Sequence, residues 1–344
     1  MRSTKLSPKP KAEPRPKASQ ARRRKQSPKA KLSSKEEPSP KPKATGEPGA
    51  IRIGISGWRY EPWRGGAFYP KGLTQKRELE YASRVLPTIE LNGSFYSLQR
   101  PSSYASWYAD TPPGFVFSVK APRYIMQVLR SRDVQAPLAN FFASGVANLR
   151  EKLGPILWQF PPFFQYDQPL LDQFLSLLPH DSDHASALAR GHDAKVAGRA
   201  QVDFGTARAL RHAIEVRNDS FVDPGFIALL REHSVALVVA DTAGRWPEYE
   251  DMTADFVYIR LHGDEKLYTS AYMETAITRW AKRIRFWSEG AEPPDARRIS
   301  SKTAPASHRR DVFCYFDNTA KVHAPANARR LLKKLKVEWP RGGD

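Results

Sequence analysis

The chain has 344 residues and a formal charge of +19 at pH 7, enough to bury a substantial core in one large domain or two ordinary ones. No run of about 18 apolar residues is present, which excludes a membrane-spanning helix. The basic, proline-rich first residues hold no apolar stretch that could act as a secretory signal, so a cytoplasmic location is expected. A single cysteine, Cys314, excludes an internal disulfide and, lying in an apolar run, reads as a buried and inert thiol.

The charge is uneven. Residues 1–50 carry 15 Lys and Arg against four Glu, so +11 of the +19 lies there and +8 elsewhere. Up to residue 49 there is no apolar periodicity and much proline, the composition of a segment that cannot offset the entropy of ordering. Ser7-Pro8-Lys9, Ser27-Pro28-Lys29 and Ser39-Pro40-Lys41 repeat one unit, and Arg22-Arg23-Arg24-Lys25 is a denser cluster. A disordered arm of this kind resembles the S-P-K tails of linker-histone-like proteins and would attract nucleic acid without sequence preference, through phosphate neutralisation. A solubilising or wrongly assigned N-terminal segment is the plainer reading, and nucleic-acid attraction the favoured one.

From residue 50 to about 340 the elements alternate. Strands are expected at Ile51–Ile55, Thr88–Asn92, Phe115–Lys120, Pro155–Phe160, His212–Arg217, Val235–Ala240, from Phe256, and at Val312–Phe316. Between them fall helical stretches from a Thr74 cap to Leu86, at 101–110, 136–152 and 169–178, from an Asp223-Pro224 start to His233, at 270–288, and at 324–336. Residues 180–211 are polar and irregular with room for one helix, and 289–310 read as a loose insertion. Eight strands separated by helices predict a single (β/α)₈ barrel, with a doubly wound open sheet as the competitor. No G-x-G-x-x-G follows the first strand and no Walker A sequence occurs, which weakens the nucleotide-fold alternative.

In such a barrel the reactive face lies at the C-terminal ends of the strands. The residues there are Ser56, Trp58, Glu90, Asn92, Lys120, Gln159, Glu215, Arg217, Asp241, Arg260, His262, Asp317 and Asn318. Glu90 shares a face with Asn92, Glu215 with Arg217, and Arg260 with His262, so these pairs are expected to point into the barrel mouth. Unpaired, each ion would cost several kcal/mol. Mutual pairing of Glu90, Glu215 and Asp241 with Lys120, Arg217 and Arg260 is one compensation; a polar ligand is the other.

The residue types suggest an anion clamp of Lys120, Arg217 and Arg260, supported by Asn92, Gln159, Ser56 and Asn318. Glu215 and Asp241 are the acid–base candidates, with Glu90 a further carboxylate and His262 a proton shuttle. Trp58, Phe95, Tyr96 and Trp158 are possible stacking walls. No cofactor is expected; Glu90, Glu215, Asp241 and His262 are ligand types that a divalent metal could use, but the nearby cations oppose one. A Schiff base on Lys120 is disfavoured, because neighbouring carboxylates would keep it protonated.

Several segments carry a family likeness: I-G-I-S-G-W-R-Y at 53–60 with F-Y-P at 68–70, I-E-L-N-G-S-F-Y at 89–96, F-S-V-K-A at 117–121, L-G-P-I-L-W-Q-F-P-P at 153–162, I-E-V-R-N-D-S-F at 214–221, V-Y-I-R-L-H-G at 257–263, and Y-F-D-N at 315–318 with N-A at 327–328. They resemble the YecE-like family, also called domain of unknown function family 72, over about Ile51 to Leu335, leaving the basic arm outside. The resemblance implies a (β/α)₈ barrel and brings no established activity. Asp317 stands where that family usually has asparagine, which would slightly favour a metal or a cationic substrate group, and Asn218-Asp219 replaces a histidine-containing pair.

The expectation is a barrel enzyme, a hydrolase or lyase, acting on a small anionic, phosphate-bearing sugar- or nucleotide-like substrate. A nucleic-acid-associated protein that binds or processes strand ends is the alternative, and a non-catalytic sensor of an anionic metabolite a third. The sequence does not fix an oligomeric state.

Overall fold

In the computed structural model the described residues are 47–339, without Arg132, Ala306, His308, Ala320 and Lys321. The basic arm up to residue 46, with its Arg22–Lys25 cluster, lies outside the described residues. Eight parallel strands close into a barrel in chain order. They are β1 (Ile51–Ser56), β2 (Thr88–Leu91), β3 (Val116–Lys120), β4 (Leu153–Gln159), β5 (His212–Glu215), β6 (Ala236–Asp241), β7 (Phe256–Leu261) and β8 (Asp311–Phe316). The expected barrel is therefore present, and β1 pairs with β8 to complete the ring.

Helices run between and around the strands: α1 (Glu78–Val85), α2 (Gly93–Tyr96), α3 (Pro101–Asp110), α4 (Arg123–Val128), α5 (Gln135–Ala143), α6 (Gln168–Ser176), α7 (Ser182–Arg190), α8 (Pro224–Glu232), α9 (Glu274–Ser288) and α10 (His323–Leu335). Asp167, Asp181 and Asp223 cap α6, α7 and α8 by accepting from backbone N–H groups of the first turn. Thr74 makes no such bond; a short 3₁₀ turn, Gln75–Arg77, leads into α1 instead. The stretch expected as one helix over 136–152 is broken at Gly145. Its φ is +111°, and a Cβ there would lie 2.5 Å from Pro101 Cα. The short α2 and α4, just after β2 and β3, are too brief to leave a periodic signal. Among the described residues no helix is long and apolar enough to cross a membrane.

Strand alternation divides the core in two. Ile53, Ile89, Phe117, Ile156, Ile214, Val239, Ile259 and Cys314 face outward and pack beneath the helices. Val116, Leu157, Ala213, Val238, Phe256, Tyr258, Phe313 and Tyr315 fill the barrel. The filling is lopsided. Ala236, Val238 and Ala240 of β6 are small, and β7 beside them sends in Phe256, Tyr258 and Arg260; Ala240 is the register partner of Arg260. The two tyrosine hydroxyls inside the barrel are satisfied across it, Tyr315 with Thr88 at 2.9 Å and Tyr258 with Ser118 at 2.6 Å.

Candidate functional site at the barrel mouth

β7 places Arg260 at the centre of the mouth, fully buried. A guanidinium there is tolerable only if its donors are used, and they are. Nε and Nη2 donate to Glu90 Oε2 and Oε1 at 2.9 and 2.8 Å, Nη1 to Glu215 Oε2 at 2.6 Å, and Nη2 to Asp317 Oδ2 at 3.0 Å. Glu90 accepts further bonds from Tyr258 Oη, at 2.7 Å, and from Ser56 Oγ. Arg217 Nε takes the other oxygen of Glu215 at 2.8 Å, and its guanidinium stacks 4.0 Å from the Trp246 ring centre. Three carboxylates thus gather around one arginine, with Arg217 and Lys120 completing an even balance of charge.

His262 lies sealed beside them. Its Nε2 is 3.2 Å from Arg260 Nη1, and its Nδ1 is 3.0 Å from Asp317 Oδ2 but off the line of a hydrogen bond.

The cations govern the acidities. Burial would push Glu215 up, but Arg217 and Arg260 outweigh it and hold the carboxyl well below the usual range. Asp317 is likewise held low, burial being overcome by Arg260 and His262. Burial tends to lower Arg260, yet Glu90 and Glu215 raise it well above the ordinary arginine value. Lys120 behaves differently. Burial, and then Arg260, draw its ammonium down to about 8, the three carboxylates opposing only in part.

Above this network lies a cavity of about 600 Å³, lined among others by Asn92, Phe95, Lys120, Gln159, Arg217 and Asp317. Lys120 Nζ stands 4.0 Å from the centre of the Phe95 ring. Among the described residues it makes no ion pair and no hydrogen bond. Gln159 Nε2 and Asn92 Oδ1 are also buried and unpartnered there, although Asn92 Nδ2 donates to Ser56 Oγ at 2.9 Å.

A family model described as "Protein of unknown function DUF72" matches residues 52–342. The chain belongs to the DUF72 family. This is the family that the strand-end segments resemble. The UPF0759 protein YunF of Bacillus subtilis (strain 168) is 29% identical over 119 residues, a match spanning 33% of this chain and 41% of that relative. Among solved structures, a DUF72 family protein of Thermotoga maritima MSB8 superposes with a TM-score of 0.62 at 22% identity, covering 83% of this chain and 99% of that one. One of Enterococcus faecalis V583 gives 0.60 at 19%, covering 84% and 96%. At these identities the likeness speaks for the fold alone.

The DUF72 barrel brings together Glu90, Asn92, Lys120, Gln159, Glu215, Arg217, Arg260 and His262 as the strand pairs suggest, with Ser56 beneath and Tyr96 at the rim. Four candidates fall elsewhere. Asp241 has the parity of Leu237 and Val239, so it leaves the barrel on its outer side. There its Oδ1 accepts from Ala243 N and Arg279 lies 3.5 Å away, while burial raises its pKa. Asn318 has the parity of Phe316 and ties loops together, donating to Ser270 O at 2.8 Å and to Asn327 Oδ1 at 3.0 Å. Trp58 packs edge-on against Trp107 beside a smaller cavity, and Trp158 points outward, bonding His212. Of the four metal-ligand candidates, Asp241 is thus remote and Glu90 and Glu215 embrace Arg260. Among the described residues no group of three or more His, Cys, Asp or Glu is arranged to hold a metal ion.

Conversely, Tyr60, Tyr258, Tyr268 and Arg123 belong to the mouth and are not among the strand-end candidates, and Asp317, placed at a strand end but given no catalytic or binding role, belongs to it as well. Asp317 was legible by parity, since Phe313, Tyr315 and Asp317 alternate on one face. Arg123 and Tyr268 come from loops and short helices, where alternation says nothing.

Proposed function

We propose that the mouth binds a small anionic ligand, a phosphate-bearing sugar- or nucleotide-like molecule, and that the protein acts on it as a hydrolase or lyase by acid–base chemistry. One observation carries this reading: among the described residues Lys120 Nζ faces the cavity with no hydrogen-bond or ion-pair partner, while Arg260, Arg217, Glu90, Glu215 and Asp317 are paired with one another. Within the charge-balanced cluster Lys120 is the ion whose donors are unused, and an anionic ligand in the cavity would take them. Arg217 and Arg123 stand beside the cavity, Gln159 and Asn92 offer polar atoms, and Phe95 and Tyr96 offer flat apolar surface. Arg260, by contrast, has its donors spent on carboxylates and supports the clamp from below. Glu215 has both oxygens occupied by arginines, and His262 is buried behind Arg260. The proton-handling role therefore passes to Lys120, whose pKa of about 8 suits exchange near neutrality.

Thermal melting with inorganic phosphate and with nucleoside monophosphates tests the reading. At a hundredfold excess over Kd a ligand stabilises the folded state by roughly 2.7 kcal/mol. Lys120→Met should abolish that ligand-induced shift, and an equal shift in both proteins would refute the clamp.

A second reading, binding of a nucleic-acid strand end, draws on Tyr96. It is 69% exposed and lies between the mouth and a neighbouring cavity of about 520 Å³ that Lys195 and Arg199 help to line. Arg123 stacks on the ring at 5.5 Å. An exposed aromatic ring between two cationic hollows suits a stacked base with a phosphate on either side. Tighter binding of a short oligonucleotide than of a mononucleotide, lost in Tyr96→Ala, would favour it.

A further inference from the structure

We infer that Lys120 is an imine-forming nucleophile, so that the ligand class of the mouth is a phosphorylated aldehyde or ketone. The inference rests on the anion-binding reading above and narrows it. A lysine can attack a carbonyl only as the free amine and only with an open approach. The carboxylates near it are bonded to other cations and none bonds Nζ: Glu90 and Asp317 bond Arg260, and Glu215 is shared by Arg260 and Arg217, so they offset the effect of burial only in part. The Nζ instead meets the face of Phe95 on one side and the cavity on the other. Burial beside Arg260 sets its pKa near 8, so an appreciable fraction is amine at neutral pH. The carboxylate neighbours oppose this chemistry, and the inference requires that burial and Arg260 outweigh them.

The step balances without any further reactant. The amine nitrogen bonds to the carbonyl carbon, and the carbonyl π pair moves to oxygen. A proton passes from nitrogen to that oxygen, and the carbon–oxygen bond breaks. With one proton from solvent, water departs and a protonated imine remains. Its positive charge inherits the setting of the ammonium, over Phe95 and within the field of three carboxylates. Arg217 and Arg123 remain at the cavity wall for the phosphate.

The test uses the full chain with glyceraldehyde 3-phosphate as probe and cyanoborohydride to trap the imine, followed by peptide mass mapping. Lys120 should acquire the reduced adduct at least about tenfold faster than an exposed lysine, given the free-amine fractions implied by about 8 here and roughly 10.4 for a free lysine side chain. Glyceraldehyde without the phosphate should label it more slowly, and inorganic phosphate should protect it. The trapping rate should rise with a midpoint near pH 8, a readout from the unaltered protein that does not depend on a variant folding. Lys120→Arg should lose the adduct. Labelling of Lys120 no faster than of the surface lysines would overturn the inference. If phosphate still raises the melting temperature in that case, only the imine fails; if it does not, the anion-binding reading fails as well.

Discussion

Arg260 grips Glu90 through two parallel bonds, Nε to Oε2 at 2.9 Å and Nη2 to Oε1 at 2.8 Å, with both side chains closed to solvent. The fork fixes the guanidinium plane, and that plane decides which remaining donors reach Glu215 and Asp317.

Removing Arg260 should therefore cost far more than removing any one of its partners. Arg260→Met leaves three carboxylates facing one another in a dry interior, a loss of about 3–5 kcal/mol by analogy with other broken buried pairs. Adding Glu90→Gln to that variant should restore part of the loss, although Glu90→Gln alone destabilises. Urea unfolding of the two single variants and the double variant measures the coupling. Additive effects would show that the fork is not a unit.

Lys120 gives the stability an alkaline dependence. Its pKa falls from 10.5 in the unfolded chain to about 8 in the folded one, so between those values the unfolded state holds the extra proton and stability rises with pH. Below pH 8 both states are protonated, and the folded state bears the full cost of burying the ammonium, on the order of 3 kcal/mol. Lys120→Met is thus expected to be the more stable protein at neutral pH. Its advantage should shrink as the pH is raised from 8 to 10.5, and a constant difference across that range in denaturant unfolding would contradict the account.

The acidic limb belongs to Glu215 and Asp317. Both are lowered from ordinary values of 4.5 and 3.8, so the stability they contribute is complete above those values and drains away as the pH falls towards their folded-state pKa values. Asp317→Asn keeps the shape and removes one of these groups. Its unfolding free energy should fall less steeply than that of the parent below about pH 4. Equal slopes would mean that Asp317 is not coupled to Arg260 in solution.

The barrel was legible because eight apolar runs, spaced by helical stretches, admit few other packings. The site was legible wherever a strand alternates visibly: Ile89, Glu90 and Leu91, or Ile259, Arg260 and Leu261, reveal which face looks inward. It was illegible on β6, where Ala236 to Ala240 is apolar on both faces and Asp241 could be assigned to either. On β8 the adjacent Asp317 and Asn318 both looked polar enough, and only the inward run of Phe313 and Tyr315 selects the aspartate. No local pattern could show that Arg260 absorbs three carboxylates, since Glu90, Glu215 and Asp317 come from different strands and meet only when the ring closes.

The basic arm calls for a cut placed by the structure. Gly49 donates its N–H to Ser288 O at 2.8 Å, and a Cβ there would lie 2.1 Å from Arg310 O; Ala50 N donates to Asp311 Oδ1 at 2.9 Å. The chain is thus locked against β8 and the end of α9 from residue 49 onward, and truncation should stop at residue 46. That cut removes 15 Lys and Arg with three Glu, a charge of +12, and leaves +7 on the remainder. If the arm attracts nucleic acid by displacing counter-ions, the affinity of the whole chain for duplex DNA should fall steeply with salt, and the truncated chain should lose most of both the affinity and the salt slope. If the arm acts only through its charge, the melting temperature and the response to phosphate should not change. Unaltered DNA affinity after truncation would transfer the binding to the barrel itself, and the cationic hollows on either side of Tyr96 would then be the place to look.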